Sequence, residues 1–343
     1  MSVAVVGGGV IGLSVAWKAA TAGHDVELID PAPGSGASHV AGGMLAPVTE
    51  AWPGEEELLE LGAASLRRWP EFAAGLEDEE ILNTAGTVVA AVDSADLAEL
   101  DRLAAYLAGI GRDVDRLGHK ELRSLEPGLG PAVRGGLCVP GDICVDNRAL
   151  LTALRKAGAK AGVRVVESAA TSVRSGLVTL AGGSRRPYDI AIISAGAWSG
   201  SLHPALAGRI RPVKGEILRL RARRFSLPPP TRTVRALVEG PPVYLVPRAG
   251  RGLVVGATQY EAGFDSDVTV EGVRDLLRTA ESVVPAIADY ALLESAAGLR
   301  PATSDNLPVI EELEPGVIAA TGHFRNGILL APITAEKVLE LLA

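Results

Sequence analysis

The N-terminal segment constrains the fold more than any other part of the chain. An apolar, β-branched run at residues 2–6 leads into the glycine-rich turn GGGVIG at residues 7–12. A segment with helical periodicity follows at residues 13–22, and a second apolar run ends on Asp30. Strand, turn, helix and strand in this order predict a βαβ unit with two parallel strands.

The glycines of this turn have the spacing that a dinucleotide-binding site requires. Gly7 permits a tight turn, Gly9 lets the backbone approach a pyrophosphate, and Gly12 lets helix and strand pack closely. The helix N-terminus supplies free N–H groups and a positive dipole end for the phosphates. Asp30 is placed to accept hydrogen bonds from a ribose diol. The segment therefore predicts a dinucleotide site, but it does not distinguish a flavin from a nicotinamide.

Length and charge narrow the class of protein. The 343 residues suffice for two domains or one large one. With 33 basic and 41 acidic residues the net charge is -8, which offers no basic field for nucleic acid. The N-terminus lacks the basic region of a signal peptide, and we expect folded structure there. No other run of about 20 uncharged apolar residues predicts a membrane span.

Cysteine and histidine usage gives two further expectations. Cys138 and Cys144 are the only cysteines, which favours ordinary thiols in a reducing cytoplasm. A hairpin disulfide or a covalent link to a flavin stays open. The five histidines have no ligand spacing with one another or with carboxylates, so we predict no metal.

The order of the remaining elements predicts an α/β protein with interleaved domains. Residues 55–76 and 94–110 each have the periodicity of an amphipathic helix, whereas residues 212–257 are β-rich and indicate an antiparallel sheet. We predict a Rossmann-like dinucleotide-binding domain with an inserted substrate domain of mixed β-sheet and helices. The first comprises residues 1–46, 147–210 and 298–343, and the second comprises residues 47–146 and 211–297.

Two more segments have the composition of ligand-binding loops. Residues 37–44 combine small side chains, exposed N–H groups and the Ser38 hydroxyl. Residues 322–330 precede the last predicted helix, where a helix N-terminus beside Arg325 favours negative charge, such as that on a reduced flavin. Since no second βαβ half follows Asp30 directly, FAD is favoured over a nicotinamide dinucleotide.

Seven motifs along the chain occur with the order and spacing of one flavoenzyme family. They are the strand-GGGVIG-helix start, Ser38 to Met44, Ala195-Gly196-Ala197-Trp198, Val213-Lys214-Gly215-Glu216, Tyr244-Leu245-Val246-Pro247-Arg248, Gly298-Leu299-Arg300-Pro301 and Gly322 to Pro332. Over essentially its whole length the chain resembles the D-amino-acid oxidase-like flavoenzymes, and within them the glycine oxidase branch.

The resemblance implies a non-covalent FAD and a substrate domain whose sheet roofs the flavin. In such enzymes a neutral amino acid passes a hydride to flavin N5, the imine leaves, and O2 reoxidises the flavin to give H2O2. Glycine is the implied substrate, with sarcosine or small D-amino acids as further candidates. The branch also implies a homo-oligomer, a role in thiamine thiazole synthesis and a thiazole synthase that accepts the imine.

The resemblance also implies roles for individual residues. Arg300 matches the carboxylate anchor, because a guanidinium grips a carboxylate through two parallel hydrogen bonds. Arg325 matches a second positively charged residue near the substrate and the flavin. Tyr244 matches a tyrosine whose hydroxyl contacts the substrate carboxylate. The implied cofactor-binding residues are Gly7, Gly9, Val10, Ile11, Gly12, Asp30, Ala37, Ser38, Gly42, Gly43, Met44, Ala170, Gly196, His323, Phe324, Arg325, Asn326, Gly327, Ile328 and Leu329.

Two positions near the implied substrate depart from the branch. Pro242 stands where a histidine is expected, and Gln259, an implied substrate contact, stands where a methionine is expected. Both changes bear on the size and polarity of the pocket. Three alternatives remain: a D-amino-acid dehydrogenase that reduces a quinone or carrier, a flavin-binding subunit without turnover of its own, and a nicotinamide dehydrogenase.

Overall fold

Two large β-sheets organise the chain in the computed structural model, which describes residues 1–76, 81–112, 114–239 and 242–343. The first sheet has six strands, in spatial order β19 (Val309–Glu314), β20 (Val317–Thr321), β13 (Ile190–Ile193), β1 (Ser2–Val6), β2 (Asp25–Ile29) and β9 (Arg164–Val166). All neighbours pair in parallel except β19 with β20. The predicted βαβ unit is confirmed, with β1 beside β2.

The first sheet is covered on both faces. One face packs against three helices, α1 (Val10–Thr21), α7 (Asn147–Lys160) and α10 (Ala331–Leu342). The other packs against a small antiparallel sheet of β10 (Ala170–Arg174), β11 (Leu177–Leu180) and β12 (Arg185–Pro187), which the sequence analysis did not resolve. Burial on both faces explains why β1 is an unbroken apolar run.

The second sheet has eight strands and includes the predicted antiparallel region. Their spatial order is β18 (Ala291–Ala302), β14 (Arg211–Arg221), β17 (Gly252–Gly256), β16 (Pro242–Arg248), β15 (Thr233–Leu237), β5 (Thr87–Ala91), β7 (Gly135–Val139) and β6 (Asp115–Gly118). Only β5 with β15 is parallel among the strand pairs described. Since β18 runs without interruption through residue 298, the predicted domain boundary there falls inside a strand.

Helices and short strands complete the layers around this sheet. They are α2 (Ala37–Val40), β3 (Met44–Leu45), α3 (Glu56–Leu66), α4 (Trp69–Ala74), β4 (Leu82–Asn83), α5 (Ser94–Gly109), α6 (His119–Leu125), β8 (Ile143–Val145), α8 (Ser199–Leu202) and α9 (Val270–Val283). α9 packs its Leu276, Ala280 and Val283 side chains on one face of the sheet, against Leu218 and Leu220 of β14. Odd-numbered residues of β14, such as Ile217, therefore project from the opposite face, towards α2 and its neighbours.

Two helix boundaries differ from the prediction. The single helix expected at residues 55–76 is divided at Arg67 and Arg68, because Pro70 occupies the first turn of α4 and has no N–H for a continuous helix. The last helix begins at Ala331, after a separate 3-10 turn at Phe324–Asn326. Arg325 is therefore in that turn rather than at the N-terminus of the helix.

None of the helices described has both the length and the apolar character that crossing a bilayer requires.

Candidate active site

A cavity of about 1010 Å³ lies between the two large sheets, where the carboxyl ends of β1, β2 and β13 face the odd side of β14. Its walls include nearly every predicted site residue. These are Gly7, Gly9, Val10, Ile11, Asp30, Ala37, Ser38, Gly42, Gly43, Met44, Ala170, Gly196, Tyr244, Gln259, Arg300, His323, Phe324, Arg325, Gly327 and Ile328. The fold thus brings together residues from the two ends and the middle of the chain.

Three predicted residues, Gly12, Asn326 and Leu329, do not line the cavity. Gly12 lies against the residue that follows β1, since a Cβ there would be 1.8 Å from the Gly7 carbonyl oxygen, which fits the packing role expected of it. Leu329 is turned into the core, and its carbonyl oxygen accepts hydrogen bonds from Ser65 and Trp69. In the turn at Phe324–Asn326 successive side chains point in different directions, so only part of the segment reaches the cavity.

The glycine-rich turn forms one end of the cavity. Gly7 has φ +110°, and a Cβ on it would lie 2.4 Å from the Ser194 carbonyl oxygen, so no other residue fits there. The first helical bond of α1 runs from Leu13 N–H to Gly9 O, which leaves the earlier amides outside the helical ladder. Val10 N–H donates to Ser38 Oγ at 3.0 Å. Amides and a hydroxyl therefore converge where a pyrophosphate is expected.

Asp30 ends β2 beside this turn. Its Oδ2 accepts the Gly8 N–H at 2.6 Å, and its Oδ1 accepts the Ala32 N–H at 2.7 Å. A carboxylate has about four acceptor positions, so both oxygens keep capacity for the two hydroxyls of a ribose. Asp30 therefore shapes the turn as well as facing the cavity.

The loop at residues 37–44 is held from behind by side chains that sequence reasoning missed. Asn147 Nδ2 donates to the carbonyl oxygens of Ser38 at 2.8 Å and His39 at 2.9 Å. Arg248 Nη2 donates to the Gly42 carbonyl oxygen at 2.6 Å. Since these carbonyls are satisfied on the side away from the cavity, the loop can present N–H groups to a ligand. Asn147 follows the residue that caps α7, Asp146, and only that capping pattern is visible in the sequence.

This geometry fits FAD. The cavity extends from the glycine-rich turn to the roof formed by β14, β16 and β18, and Gly7, Gly9, Gly42 and Gly43 are among the residues that line it. The amides of the turn and Ser38 would hold the pyrophosphate, and Asp30 would hold the ribose. Residues 42–44, 323–325, 327 and 328 would surround the ring system. When bound, the flavin supplies the two-electron redox chemistry.

The roof carries Tyr244 in a slot between two glycines. A Cβ on Gly42 would lie 2.7 Å from Tyr244 Cε2, and one on Gly256 would lie 2.4 Å from Tyr244 Cζ. Burial raises the pKa of Tyr244, although the Arg300 charge acts in the opposite direction. The phenol therefore stays protonated and can donate a hydrogen bond to an anion.

Arg300 and Arg325 differ in their surroundings. Arg325 Nη2 lies 2.9 Å from Glu55 Oε2, and its Nε lies 3.8 Å from Glu50 Oε2, so acidic partners already neutralise it. Arg300 Nη1 donates to the Thr258 carbonyl oxygen at 3.2 Å, and no acidic side chain pairs with it within the described ranges. Its guanidinium lies over the flat surface of Gly215, where a Cβ would come within 2.1 Å of Nη1. Arg300 is thus the cation that the cavity offers to a carboxylate.

His323 is an uncharged residue in the wall of the cavity. It is buried, which lowers its pKa to about 3, and its Nε2 lies 2.9 Å from Thr334 Oγ1. An imidazole with such a pKa carries no charge at neutral pH. Positive charge in the cavity therefore comes from arginine.

The two departures from the expected pattern, Pro242 and Gln259, both line the cavity and both are exposed. They lie at its mouth, together with the half-exposed Trp52 and Trp198. Compared with the expected histidine and methionine, these two residues therefore change the size and polarity of the cavity entrance.

Asp142 fixes the segment that carries Glu50 into the cavity. It is completely buried, and its carboxylate accepts the Val48 N–H at 3.3 Å and the Thr49 N–H at 2.6 Å. Burial raises the pKa of Asp142 to about 6, although these hydrogen bonds act in the opposite direction.

The raised pKa of Asp142 predicts a pH dependence of stability. The folded protein holds this proton more tightly than the unfolded chain, whose aspartates titrate near 3.9. The free energy of unfolding therefore falls as pH rises from about 4 through about 6, by up to about 3 kcal/mol. Asp142→Asn should flatten the profile of Tm between pH 4 and 7. The exposed Asp101→Asn serves as the control, and an unchanged profile in Asp142→Asn would show that Asp142 does not titrate in this range.

Among the residues described, the cysteines form no disulfide and the metal-ligating side chains form no metal site. Cys138 and Cys144 are free, buried thiols and lie outside the cavity lining, so the hairpin disulfide is not formed. Burial raises the pKa of each thiol. No group of three or more His, Cys, Asp or Glu side chains with metal-binding geometry occurs in the described segments.

Comparison with known proteins agrees with this architecture. The chain matches the family model for DAO, the FAD dependent oxidoreductases, over residues 2–341. It is 33% identical to the glycine oxidase of Geobacillus kaustophilus over 354 residues, covering 99% of this chain and 92% of that one. The crystal structure of the Geobacillus kaustophilus glycine oxidase superimposes with a TM-score of 0.89 at 35% identity, covering 99% of this chain and 94% of the other.

A further relative is a fusion. The chain is 32% identical to the bifunctional protein ThiO/ThiG of Nostoc sp., covering 99% of this chain but 52% of that longer protein. A family model that spans almost the whole chain, together with a dinucleotide cradle and a roofed cavity, establishes the membership. This chain belongs to the family of FAD-dependent oxidoreductases that the DAO model describes.

Proposed function

We propose that this protein is an FAD-dependent glycine oxidase. The observation that carries the proposal is Arg300, which has no acidic partner among the described residues and lies beside the protonated Tyr244 hydroxyl in the roof of the cavity. A guanidinium and a phenol form a site for one carboxylate. Glycine is the smallest amino acid that offers such a carboxylate, and the relatives named glycine oxidase support glycine as the substrate.

The residues of the roof would position the substrate for the reaction. Arg300 binds the carboxylate through two hydrogen bonds, and Tyr244 donates a third, which fixes the direction of the Cα–H bond relative to the flavin plane. Gly215 and Gly256 keep both side chains close to the sheet, since a Cβ at either position would displace them. His323, with its low pKa, and the cationic, paired Arg325 are poor bases for removing a proton from carbon, which is consistent with hydride transfer.

The net reaction balances without a further reductant. Glycine loses two electrons and a proton from carbon and one proton from nitrogen, which gives the imine. Water hydrolyses the imine to glyoxylate and ammonia, and O2 takes the two electrons and two protons to give H2O2. Sarcosine and small D-amino acids are the competing substrates.

A role in thiamine synthesis is part of the proposal. The relative named bifunctional protein ThiO/ThiG combines two activities in one chain, and this chain aligns with about half of it. That fusion supports delivery of the product to a thiazole synthase. We also propose a homo-oligomer. A cytoplasmic location stays a prediction from the two free thiols.

Oxygen consumption tests the oxidase against the dehydrogenase. With glycine as the only donor, the proposal expects equal amounts of O2 consumed and of H2O2, glyoxylate and ammonia formed. A protein that reduces a quinone analogue with glycine but consumes no O2 is the dehydrogenase. A yellow protein inactive with either acceptor and with sarcosine or D-alanine is a flavin-binding subunit.

A further inference from the structure

Glu50 and Arg235 form an ion pair in the wall of the substrate cavity. Arg235 of β15 is the direct antiparallel partner of Tyr244 in β16, so both side chains project from the same face of the sheet. The Arg235 Nη1 atom lies 2.5 Å from Glu50 Oε1. The side chains are only 12% and 13% exposed, which makes the pair nearly buried.

Glu50 is held in this place from several directions. Arg325 Nη2 donates to its carbonyl oxygen at 3.3 Å, and Arg325 Nε lies 3.8 Å from its Oε2. The amides of the two preceding residues are bound by the buried Asp142 carboxylate. The carboxylate of Glu50 therefore occupies a built position rather than that of a mobile surface acid.

The charges of the cavity wall favour a substrate that carries a single carboxylate. Among the residues that the structure describes, the guanidinium groups that line the cavity are those of Arg235, Arg300 and Arg325. Glu50 neutralises Arg235, and Glu55 together with Glu50 neutralises Arg325. A substrate carboxylate finds Arg300, whereas a second carboxylate directed at Arg235 meets the negative charge of Glu50.

Building on the proposed function, we propose that Glu50 is a specificity-determining residue, which neutralises Arg235 and so excludes amino acids that carry a second carboxylate. Two like charges in a nearly buried site repel strongly, because water screens them poorly. Removing the Glu50 charge leaves Arg235 as a cation that faces the cavity. Arg235 then becomes a second carboxylate anchor in addition to Arg300.

Glu50→Gln tests this inference, since the replacement keeps the shape and removes only the charge. We measure kcat/KM for glycine and for two diacids, D-aspartate and iminodiacetate. The second carboxylate belongs to the side chain on Cα in D-aspartate and to the substituent on the nitrogen in iminodiacetate. The ratio of kcat/KM for at least one diacid to that for glycine should rise by about tenfold or more, as expected for one charge-assisted contact. The gain should disappear in Glu50→Gln/Arg235→Gln.

The matched control is Glu60→Gln, which makes the same charge change at an exposed glutamate that pairs with Arg112 outside the cavity lining. Glu50→Ala repeats the test without a side-chain amide that can still accept from Arg235, and should shift the ratio in the same direction. An unchanged ratio in both Glu50 variants, a gain that survives the double substitution, or an equal gain in Glu60→Gln would overturn the inference. If the unmodified protein does not oxidise glycine, the proposed function itself fails, which is a separate result.

Discussion

Arg300→Ala should raise the KM for glycine by ~30- to 150-fold, because one charge-assisted, bidentate contact contributes about 2 to 3 kcal/mol. The protein should still be yellow, since the glycine-rich turn, Asp30 and the loop at residues 37–44 are untouched. Steady-state kinetics together with the visible spectrum of the purified variant measure both effects. No acidic partner pairs with Arg300 in the described part of the chain, so its removal leaves no buried carboxylate unpaired.

A second variant separates the position of the guanidinium from its charge. In Gly215→Ala the new Cβ would lie 2.1 Å from Arg300 Nη1, so the guanidinium must move although its charge remains. The KM should rise in the same direction. Arg102→Ala, which removes an exposed arginine of α5, is the control. Kinetics of Arg300→Ala equal to those of the unmodified protein would remove Arg300 from the substrate site.

Gly9→Val should give a colourless protein. The backbone of Gly9 has φ -74°, which valine adopts easily, so the chain should fold. The valine side chain would occupy the space beside Ser38 Oγ, which lies 3.2 Å from a Cβ at this position. That space is where the pyrophosphate is expected, and the affinity for FAD should fall below detection.

Flavin content per chain and the Tm of the variant measure this result. Gly109→Val is the matched control, since a Cβ on that glycine would meet nothing within 4 Å. A yellow Gly9→Val protein with full flavin content would contradict the assignment of the turn to the pyrophosphate.

The parts of the fold that depend on local sequence were predicted well. The βαβ unit with its glycines is confirmed because strand, turn and helix each follow from neighbouring residues. The antiparallel region was likewise visible from its alternating strands and turns. The division of the helix at Arg67 and Arg68 was missed although Pro70 signalled it, because apolar periodicity continues across the break.

The site was predicted less completely, because its contacts join distant parts of the chain. Arg300 and Tyr244 have no distinguishing local pattern, and only the resemblance to a family pointed to them. Glu50 and Arg235 meet across 185 residues, and neither stands in a motif. Asn147 stands in none of the motifs that predicted a ligand site, yet its side chain holds the loop at residues 37–44 from behind.

Anaerobic titration with glycine tests the central claim most directly. The purified protein, free of O2, should show the absorption bands of oxidised FAD, and glycine should bleach them with one equivalent per flavin. Admission of O2 should then restore the bands. A yellow protein whose bands glycine leaves unchanged, under the conditions in which dithionite bleaches them, would contradict the proposed glycine oxidase.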